Sequence, residues 1–303
     1  MDDTDIKLCQ LLLANSRLSY DELASNLGLS INAVHKRVKI LLDLRIIRSF
    51  TARLSLTALS AINIWIYGRS QSKHLEESHS RLQKNDSTYW VAYSGGELLY
   101  VGAYLRDISE LESYVSFVRS QGQMSDPIVA ILPSLPGRFS LDELHQLDYQ
   151  IISALHKDSR KPLADVATEL HVSTKTVRNR LDKMIDKRLI DFSMDWYPDA
   201  SNDIVAIFHV SISANGDRIR VFSSILEKFI PHVLFAVPFS NLPNQLVAFV
   251  WTNTMKELEG LRTEIGKING VESVVSNVLQ IGYSSDTWRD RVLLERAKLP
   301  AIQ

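Results

Sequence analysis

The chain contains two copies of one unit, and this duplication constrains its fold more than any other feature. When the sequence is shifted by 143 positions, Asp5 aligns with Asp148, and the match runs without a gap to Ile47 and Ile190. A gapless match of this length indicates that a whole structural unit is repeated. The identical pairs include Ser16/Ser159, Arg17/Arg160, Ala24/Ala167, Leu27/Leu170, Ser30/Ser173, Val34/Val177, Arg37/Arg180, Asp43/Asp186 and Arg45/Arg188.

Three predicted helices open each copy. Apolar residues at helical spacing predict the first helix in "DIKLCQLLLAN" and in "LDYQIISALHKD". Ser19 and Pro162 suit the start of the second helix, and Ser30 and Ser173 suit the N-cap of the third. This order, with a short turn before the third helix, is typical of a helix-turn-helix. The third helix carries one apolar stripe in each copy, Val34, Val38 and Leu41 or Val177, Leu181 and Met184.

The pattern changes after each helical head. An extended segment, "IIRSFTARLS" or "LIDFSMDWY", follows as a wing or a connector. The strand-like runs "AINIWIYG", "STYWVAY", "ELLYVGAYL" and "DPIVAILPS" then alternate with two helical segments in the order βαββαβ. The second copy repeats this order, and "DTWRDRVLLERAKL" is predicted to close the chain as a helix. The fold class is therefore α+β, with two repeats of a winged helix-turn-helix and a ferredoxin-like domain.

This succession of modules resembles the leucine-responsive (Lrp/AsnC) family of prokaryotic transcription regulators. The resemblance covers nearly the whole chain twice, whereas family members ordinarily carry one head and one body, so the chain is similar to a fused tandem version. The predicted domains are a first winged helix-turn-helix (1–58), a first ferredoxin-like domain (59–135), a linker with the second winged helix-turn-helix (136–200), a second ferredoxin-like domain (201–283) and a C-terminal helix (284–303).

The resemblance implies that the third helix of each head enters the major groove of double-stranded DNA. Positive charge is concentrated there: residues 31–48 hold five basic side chains and one acidic one, and residues 174–191 hold six and three. A solvated helix face is the alternative, and Arg37 and Arg180 suit an ion pair with a neighbouring helix equally well. The predicted DNA-binding residues are Asn32, His35, Lys36, Arg37, Lys39, Lys175, Thr176, Arg178, Asn179 and Arg180.

The resemblance also implies a small effector, commonly an amino acid, bound by the ferredoxin-like bodies. The matching hairpin "YSGGELLYVG" contains Gly95 and Gly96, whose backbone N–H groups could hold a carboxylate or simply form a turn. The second body has Asn241 and Asn244 in the corresponding stretch, so the two candidate pockets are unlike.

Composition and charge limit how the protein can bind DNA and in which compartment it is expected. The net charge is -1, so DNA binding must come from local patches, and one cysteine gives no disulfide pattern. The acidic start is unlike a signal peptide, and the apolar runs are too short to span a bilayer. We expect a soluble cytoplasmic protein with no cofactor or metal, and a homodimer joined through its sheets. Pairing of the two bodies within one chain is the alternative.

An enzyme is the competing class. Siroheme decarboxylases resemble paired or fused regulators of this kind and need histidine and arginine side chains around a tetrapyrrole-sized cavity. The eight histidines are scattered along this sequence, which favours regulation. A ligand sensor with degenerate heads is a third possibility. Visible colour would separate a siroheme-binding protein from a DNA-binding regulator.

Overall fold

The computed structural model describes residues 1–72, 75–95, 97–133 and 141–298. Contacts divide them into two compact units. The head unit contains the described residues of 7–61, 141–197 and 286–298, and the sheet unit contains those of 1–6, 62–133 and 198–285. Each unit thus takes its parts from both copies of the repeat.

The elements follow the predicted order in both copies. The helices are α1 (Asp3–Ala14), α2 (Tyr20–Leu27), α3 (Ile31–Asp43), α4 (Leu75–Leu82), α5 (Leu111–Gln121), α6 (Gln146–Leu155), α7 (Leu163–Glu169), α8 (Thr174–Asp186), α9 (Arg218–Phe229), α10 (Met255–Gly266) and α11 (Trp288–Lys298). The strands are β1 (Ile47–Leu54), β2 (Ile62–Arg69), β3 (Thr88–Ser94), β4 (Leu98–Leu105), β5 (Ile128–Ile131), β6 (Ile190–Trp196), β7 (Ile204–Ile212), β8 (Val233–Pro238), β9 (Gln245–Thr252) and β10 (Val271–Ser284).

Side-chain caps fix the starts of the head helices. Ser19 and Glu22 form a capping box at α2, in which each side chain accepts a backbone N–H of the other residue. Ser30 and Ser173 cap α3 and α8, because each hydroxyl oxygen accepts an N–H from the first turn. Gly28 ends α2 with a φ of 65°, a left-handed conformation that suits glycine. The predicted helix starts at the three serines are confirmed.

The extended segments that follow the heads pair with each other. Strands β1 and β6 form a two-stranded antiparallel sheet, in which Phe50 lies opposite Met194 and Leu54 lies opposite Ile190. The two extended segments therefore join the heads to each other through a shared two-stranded sheet.

The sheet unit contains one eight-stranded sheet in the order β5-β2-β4-β3-β10-β7-β9-β8. The first four strands belong to the first βαββαβ body and the last four to the second, so the fold class is confirmed. The bodies join where β10 pairs with β3, with Tyr283 opposite Val91. The two bodies thus pair within one chain, the alternative kept open by the sequence. Association of two chains stays a prediction.

Each ferredoxin-like body has its own apolar core. Strands β2–β5 pack on α4 and α5 around residues such as Ile66, Val101 and Val118. The second body packs α9 and α10 on its strands around Phe208 and Ile265. None of the helices among the described residues combines the length and the apolar character that crossing a bilayer requires.

Candidate nucleic-acid interface

The third helix of each head buries its apolar stripe and exposes its polar face. Val34, Val38 and Leu41 of α3 are at most 2% exposed. The corresponding residues of α8, Val177, Leu181 and Met184, are at most 3% exposed. Of the predicted DNA-binding residues, Arg37, Thr176 and Arg180 are half-buried, and the exposed ones are Asn32, His35, Lys36, Lys39, Lys175, Arg178 and Asn179.

Arg180 has a partner within its own head. Its Nη1 lies 3.0 Å from Oδ1 of Asp148, a carboxylate that is only 4% exposed at the start of α6. An arginine bound to a buried carboxylate positions two helices relative to each other. This geometry favours the structural alternative for Arg180, and its predicted DNA contact would have to be made from this paired position.

His35 is held in place by an aromatic neighbour. Its ring stacks on Tyr20 of α2 with 3.5 Å between ring centroids. Arg160 lies on the turn after α6 of the second head, and its guanidinium carbon is 4.6 Å from the ring centroid of Tyr20. The exposed face of α3 is therefore connected to the second head through Tyr20.

The two heads exchange matched hydrogen bonds. The hydroxyl groups of Ser16 and Ser159 lie 2.6 Å apart. Arg17 donates to the carbonyl oxygen of Ser159, and Arg160 donates to those of Ser16, at 2.6 Å, and Leu18, at 2.8 Å. Arg17 also donates to the carbonyl oxygen of Lys161, at 3.5 Å, as the counterpart of the bond from Arg160 to Leu18. Because each bond has a counterpart under the 143-residue shift, the heads form a locally two-fold pair. The sequence carried the signal in its identical Ser-Arg turns, although it did not predict their contact.

The centre of the head pair is electropositive. Burial lowers the pKa of the Arg17 guanidinium, and the nearby charges of Arg160 and Arg178 lower it further, while Asp158 opposes them. Arg178 belongs to the exposed face of α8. Positive charge thus extends from the contact between the heads to one of the predicted DNA-reading helices, which would favour an anionic partner.

The four predicted effector residues have different surroundings. The N–H of Gly95 donates to the carbonyl oxygen of Val278 at 3.1 Å, so a ligand carboxylate would have to displace this bond. The side-chain amide of Asn241 makes two hydrogen bonds to the backbone of β5, accepting through Oδ1 and donating through Nδ2. Asn244 is exposed. Gly96 lies outside the described residues.

Three potential metal ligands meet in the head unit, which sequence spacing could not predict. Atoms of His156, Asp286 and Asp290 lie within 4.8 Å of one another. Both carboxylates already bind cations, because Arg53 contacts Asp290 at 3.0 Å and Lys157 contacts Asp286 at 2.8 Å. Burial alone would raise the pKa of Asp290, but Arg53 and other neighbours hold it below its usual value. The cluster is best described as an ion-pair network at the start of α11.

Aromatic side chains pack together in the sheet unit. The centroid of the Phe249 ring lies 5.6 Å from that of Trp65 and 5.7 Å from that of Trp90. Nearby, Nε2 of His209 lies 2.7 Å from the hydroxyl oxygen of Tyr100. Burial lowers the pKa of His209 to about 4, so its imidazole is neutral at pH 7. Both tryptophans therefore pack against another aromatic side chain within the sheet unit.

Comparison with known proteins gives both sequence and fold relatives. The model of the AsnC-type helix-turn-helix domain matches residues 1–42 and 144–185. An uncharacterised HTH-type transcriptional regulator of Pyrococcus furiosus is 30% identical over 122 residues, which cover 40% of this chain and 82% of that protein. The HTH-type transcriptional regulator AldR of Mycobacterium tuberculosis is 27% identical over 122 residues, which cover 38% of this chain and 67% of AldR.

The similarity to a solved structure extends over the whole tandem chain. The crystal structure of the siroheme decarboxylase NirDL aligns with a TM-score of 0.61 at 14% identity. The alignment covers 97% of this chain and 98% of NirDL. At this identity the similarity concerns the fold alone.

Proposed function

Because the chain belongs to the Lrp/AsnC family of helix-turn-helix transcription regulators, we propose that it binds double-stranded DNA through α3 and α8 and thereby regulates transcription. The observation that carries the proposal is the arrangement of these two helices. Each buries its apolar stripe and turns a polar, largely basic face to solvent. A helix presented in this way suits the major groove.

We further propose that the two heads read different base sequences. At equivalent exposed positions, His35 of α3 corresponds to Arg178 of α8, and Lys36 corresponds to Asn179. Arginine and lysine pair with the acceptor edge of guanine, whereas asparagine pairs with adenine. The substitutions therefore change the bases that each helix can recognise, so the operator of one chain would be asymmetric.

Loss of one head side chain tests the proposal. A duplex is first selected from a randomised library with the wild-type protein, and the affinity of variants for it is measured by fluorescence anisotropy. Lys36→Ala and Arg178→Ala should each weaken binding by about 1–3 kcal/mol and relax specificity at different positions if they contact bases. Lys228→Ala, an exposed lysine on α9, is the matched control and should leave affinity unchanged.

Two outcomes separate the possible contacts. If a side chain contacts phosphate instead of a base, its removal weakens binding to all sequences alike. It also reduces the salt slope, meaning the steepness with which log affinity falls as log salt concentration rises, by roughly one. If both variants keep wild-type affinity at low and moderate salt, α3 and α8 do not read DNA.

A siroheme decarboxylase-like enzyme is the second candidate, because the fold of NirDL spans nearly the whole tandem chain. A tetrapyrrole needs a large cavity, whereas Trp65, Tyr100 and Phe249 are at most 7% exposed within a packed aromatic group. That packing supports regulation over catalysis. Addition of siroheme to the purified protein, followed by gel filtration, tests the alternative, since a siroheme-binding protein would carry the visible absorbance through the column.

An amino-acid effector and assembly into a homodimer complete the proposed function. Both rest on what the family implies. For the effector, the N–H of Gly95 and the side chain of Asn241 already have hydrogen-bond partners within the chain. Calorimetric titration with the twenty amino acids tests the first, and light scattering at micromolar concentration tests the second. A strictly monomeric protein would contradict the homodimer.

A further inference from the structure

A groove of about 480 Å³ lies between the two heads. The first head contributes side chains from α2, the end of α3 and the start of β1, and the second contributes the turn that follows α6. We call it the head groove. Its lining residues are Tyr20, Leu42, Arg48, Ser49, Phe50, Lys157, Asp158 and Arg160.

The charge of the head groove is predominantly positive. Arg48, Lys157 and Arg160 line it together with one acid, Asp158. Within the part of the chain that the structure describes, Arg48 has no carboxylate partner, and its guanidinium carbon lies 3.4 Å from the centroid of the Tyr197 ring. Stacking holds the arginine in place while its N–H groups stay available to an anion.

The other two cations have different roles. Lys157 is 56% exposed and binds Asp286, a similarly exposed carboxylate, so it can exchange this partner for another anion. Arg160 lies over the rings of Tyr20 and Phe50 and uses Nη1 to join the heads. It contributes charge and fixes the shape of the groove. A bound anion would thus contact Arg48 and Lys157.

The equivalent positions of the other copy do not repeat this charge. Under the 143-residue shift, Arg48 corresponds to Asp191, and Lys157 corresponds to Ala14. Asp191 binds Arg289, which belongs to α11. The duplication alone therefore does not account for the positive groove, which is specific to one side of the head pair.

We propose that the head groove binds a phosphate group through Arg48 and Lys157. The planar guanidinium of arginine matches phosphate oxygens, and lysine adds a point charge. Tyr20 lines the groove and stacks on His35 of α3, so the groove adjoins the helix that is proposed to read DNA. The phosphate comes either from the DNA backbone or from a free phosphate-bearing molecule, and only the first source rests on the proposed function.

The first arm of the test measures DNA binding as a function of salt. Arg48→Ala and Lys157→Ala should each lower the salt slope by roughly one and weaken all sequences alike. Lys157→Ala introduces the residue of the other copy at an exposed position, so it remains informative if Arg48→Ala disturbs folding. Lys228→Ala is again the control and should leave the slope unchanged.

The second arm uses inorganic pyrophosphate without DNA. If the source is a free molecule, pyrophosphate should raise the Tm of the wild-type protein in a saturable way, because a ligand of the folded state stabilises it. Arg48→Ala and Lys157→Ala should remove this shift. This arm does not depend on DNA binding, so it decides the proposal even if the wild-type protein fails to bind any duplex.

The outcomes are distinct. A lower salt slope in the variants supports the DNA backbone as the source, and a saturable Tm shift that the variants lose supports a free phosphate. Unchanged salt slopes, or no duplex binding by the wild-type protein, would overturn the proposal when pyrophosphate gives no saturable shift or a shift that survives in both variants.

Discussion

The head unit and the sheet unit join their two copies in different ways. In the head unit the contacts come in matched pairs, since Arg17 donates to Ser159 and Arg160 donates to Ser16. In the sheet unit the two junctions are unlike. Strand β10 pairs with β3 along a ladder. Strand β5 is instead attached to the segment between β8 and β9, through the side chain of Asn241 and the N–H of Ser240.

The difference shows what tandem fusion allows. In a homodimer, every substitution appears twice, so a two-fold interface must be complementary to itself. Two copies within one chain are free of this restriction, and each can change alone. The unlike junctions of the sheet unit and the unlike exposed faces of α3 and α8 are consequences of the same freedom. The matched bonds between the heads preserve a common frame for two different reading surfaces.

Acid should destabilise the sheet unit through His209. The folded-state pKa of about 4 lies below the ordinary value of about 6.5, so between these values the unfolded chain binds more protons. The contribution of His209 to the free energy of unfolding is therefore complete above pH 6.5 and is lost as the pH falls to about 4. The shift corresponds to about 3 kcal/mol.

Unfolding in urea, followed by tryptophan fluorescence between pH 4 and 7, measures this effect. His209→Gln is the matched variant, because its side chain can accept a hydrogen bond from the Tyr100 hydroxyl group but does not titrate. Its stability should fall less steeply with acid. Parallel curves for the two proteins would contradict the assignment to His209.

The matched bonds of the head unit should be of similar strength. Arg160→Ala removes hydrogen bonds from a charged donor to two carbonyl oxygens, which should lower the free energy of unfolding by about 2–3 kcal/mol. Arg17→Ala should have an effect within about 1 kcal/mol of this value, because Arg17 makes the reciprocal contacts. Chemical denaturation of both variants checks the prediction. A negligible effect of one substitution beside a large effect of the other would show that the head pair is not symmetric.

The attachment of β5 should depend on a single side chain. Asn241 accepts from the N–H of Ile131 and donates to the carbonyl oxygen of Val129, both at 2.8 Å. Asn241→Ala should therefore cost about 1–2 kcal/mol and increase hydrogen exchange at Ile131. Asn244→Ala, at an exposed position nearby, is the control and should stay within about 0.5 kcal/mol of wild type. Equal effects of the two substitutions would rule out this role of Asn241.

The smallest effects concern the caps of the reading helices. Ser30→Ala and Ser173→Ala each remove the hydroxyl that accepts a backbone N–H at the start of α3 or α8. Each should cost about 1 kcal/mol in thermal or chemical unfolding. Equal costs would extend the equivalence of the heads to their helix starts, while a clear difference would limit it to the contacts between them.

Local signals predicted most of the fold. Residues close in sequence determine the apolar stripe of α3, its cap at Ser30 and the alternating strands of both bodies. The structure confirms these three predictions. Pairing of β1 with β6 and of β3 with β10 joins segments far apart along the chain. Strand periodicity shows which face is buried but does not identify the partner strand, so the sequence left internal pairing of the bodies as an alternative.

The candidate interface was predictable at its exposed positions and less so elsewhere. His35, Lys36 and Arg178 face solvent as the helical period requires. The period places Arg180 beside the apolar stripe, but it cannot show that the buried carboxylate of Asp148 binds it. The head groove was missed for a similar reason, because its cations come from segments of both heads that carry no common motif.

The most direct test of two unlike DNA-reading heads is selection of bound duplexes from a randomised library by the wild-type protein and by a grafted variant. In the graft, Asn32→Lys, Ala33→Thr, His35→Arg and Lys36→Asn give the first head the residues of the second at these four positions of α3. The wild-type protein should select an asymmetric site. Because β1 and β6 pair antiparallel and the head contacts are reciprocal, the graft should select an inverted repeat of one half of that site. A wild-type site that is already an inverted repeat, or a graft that selects the wild-type site unchanged, would contradict the proposal of two different reading surfaces.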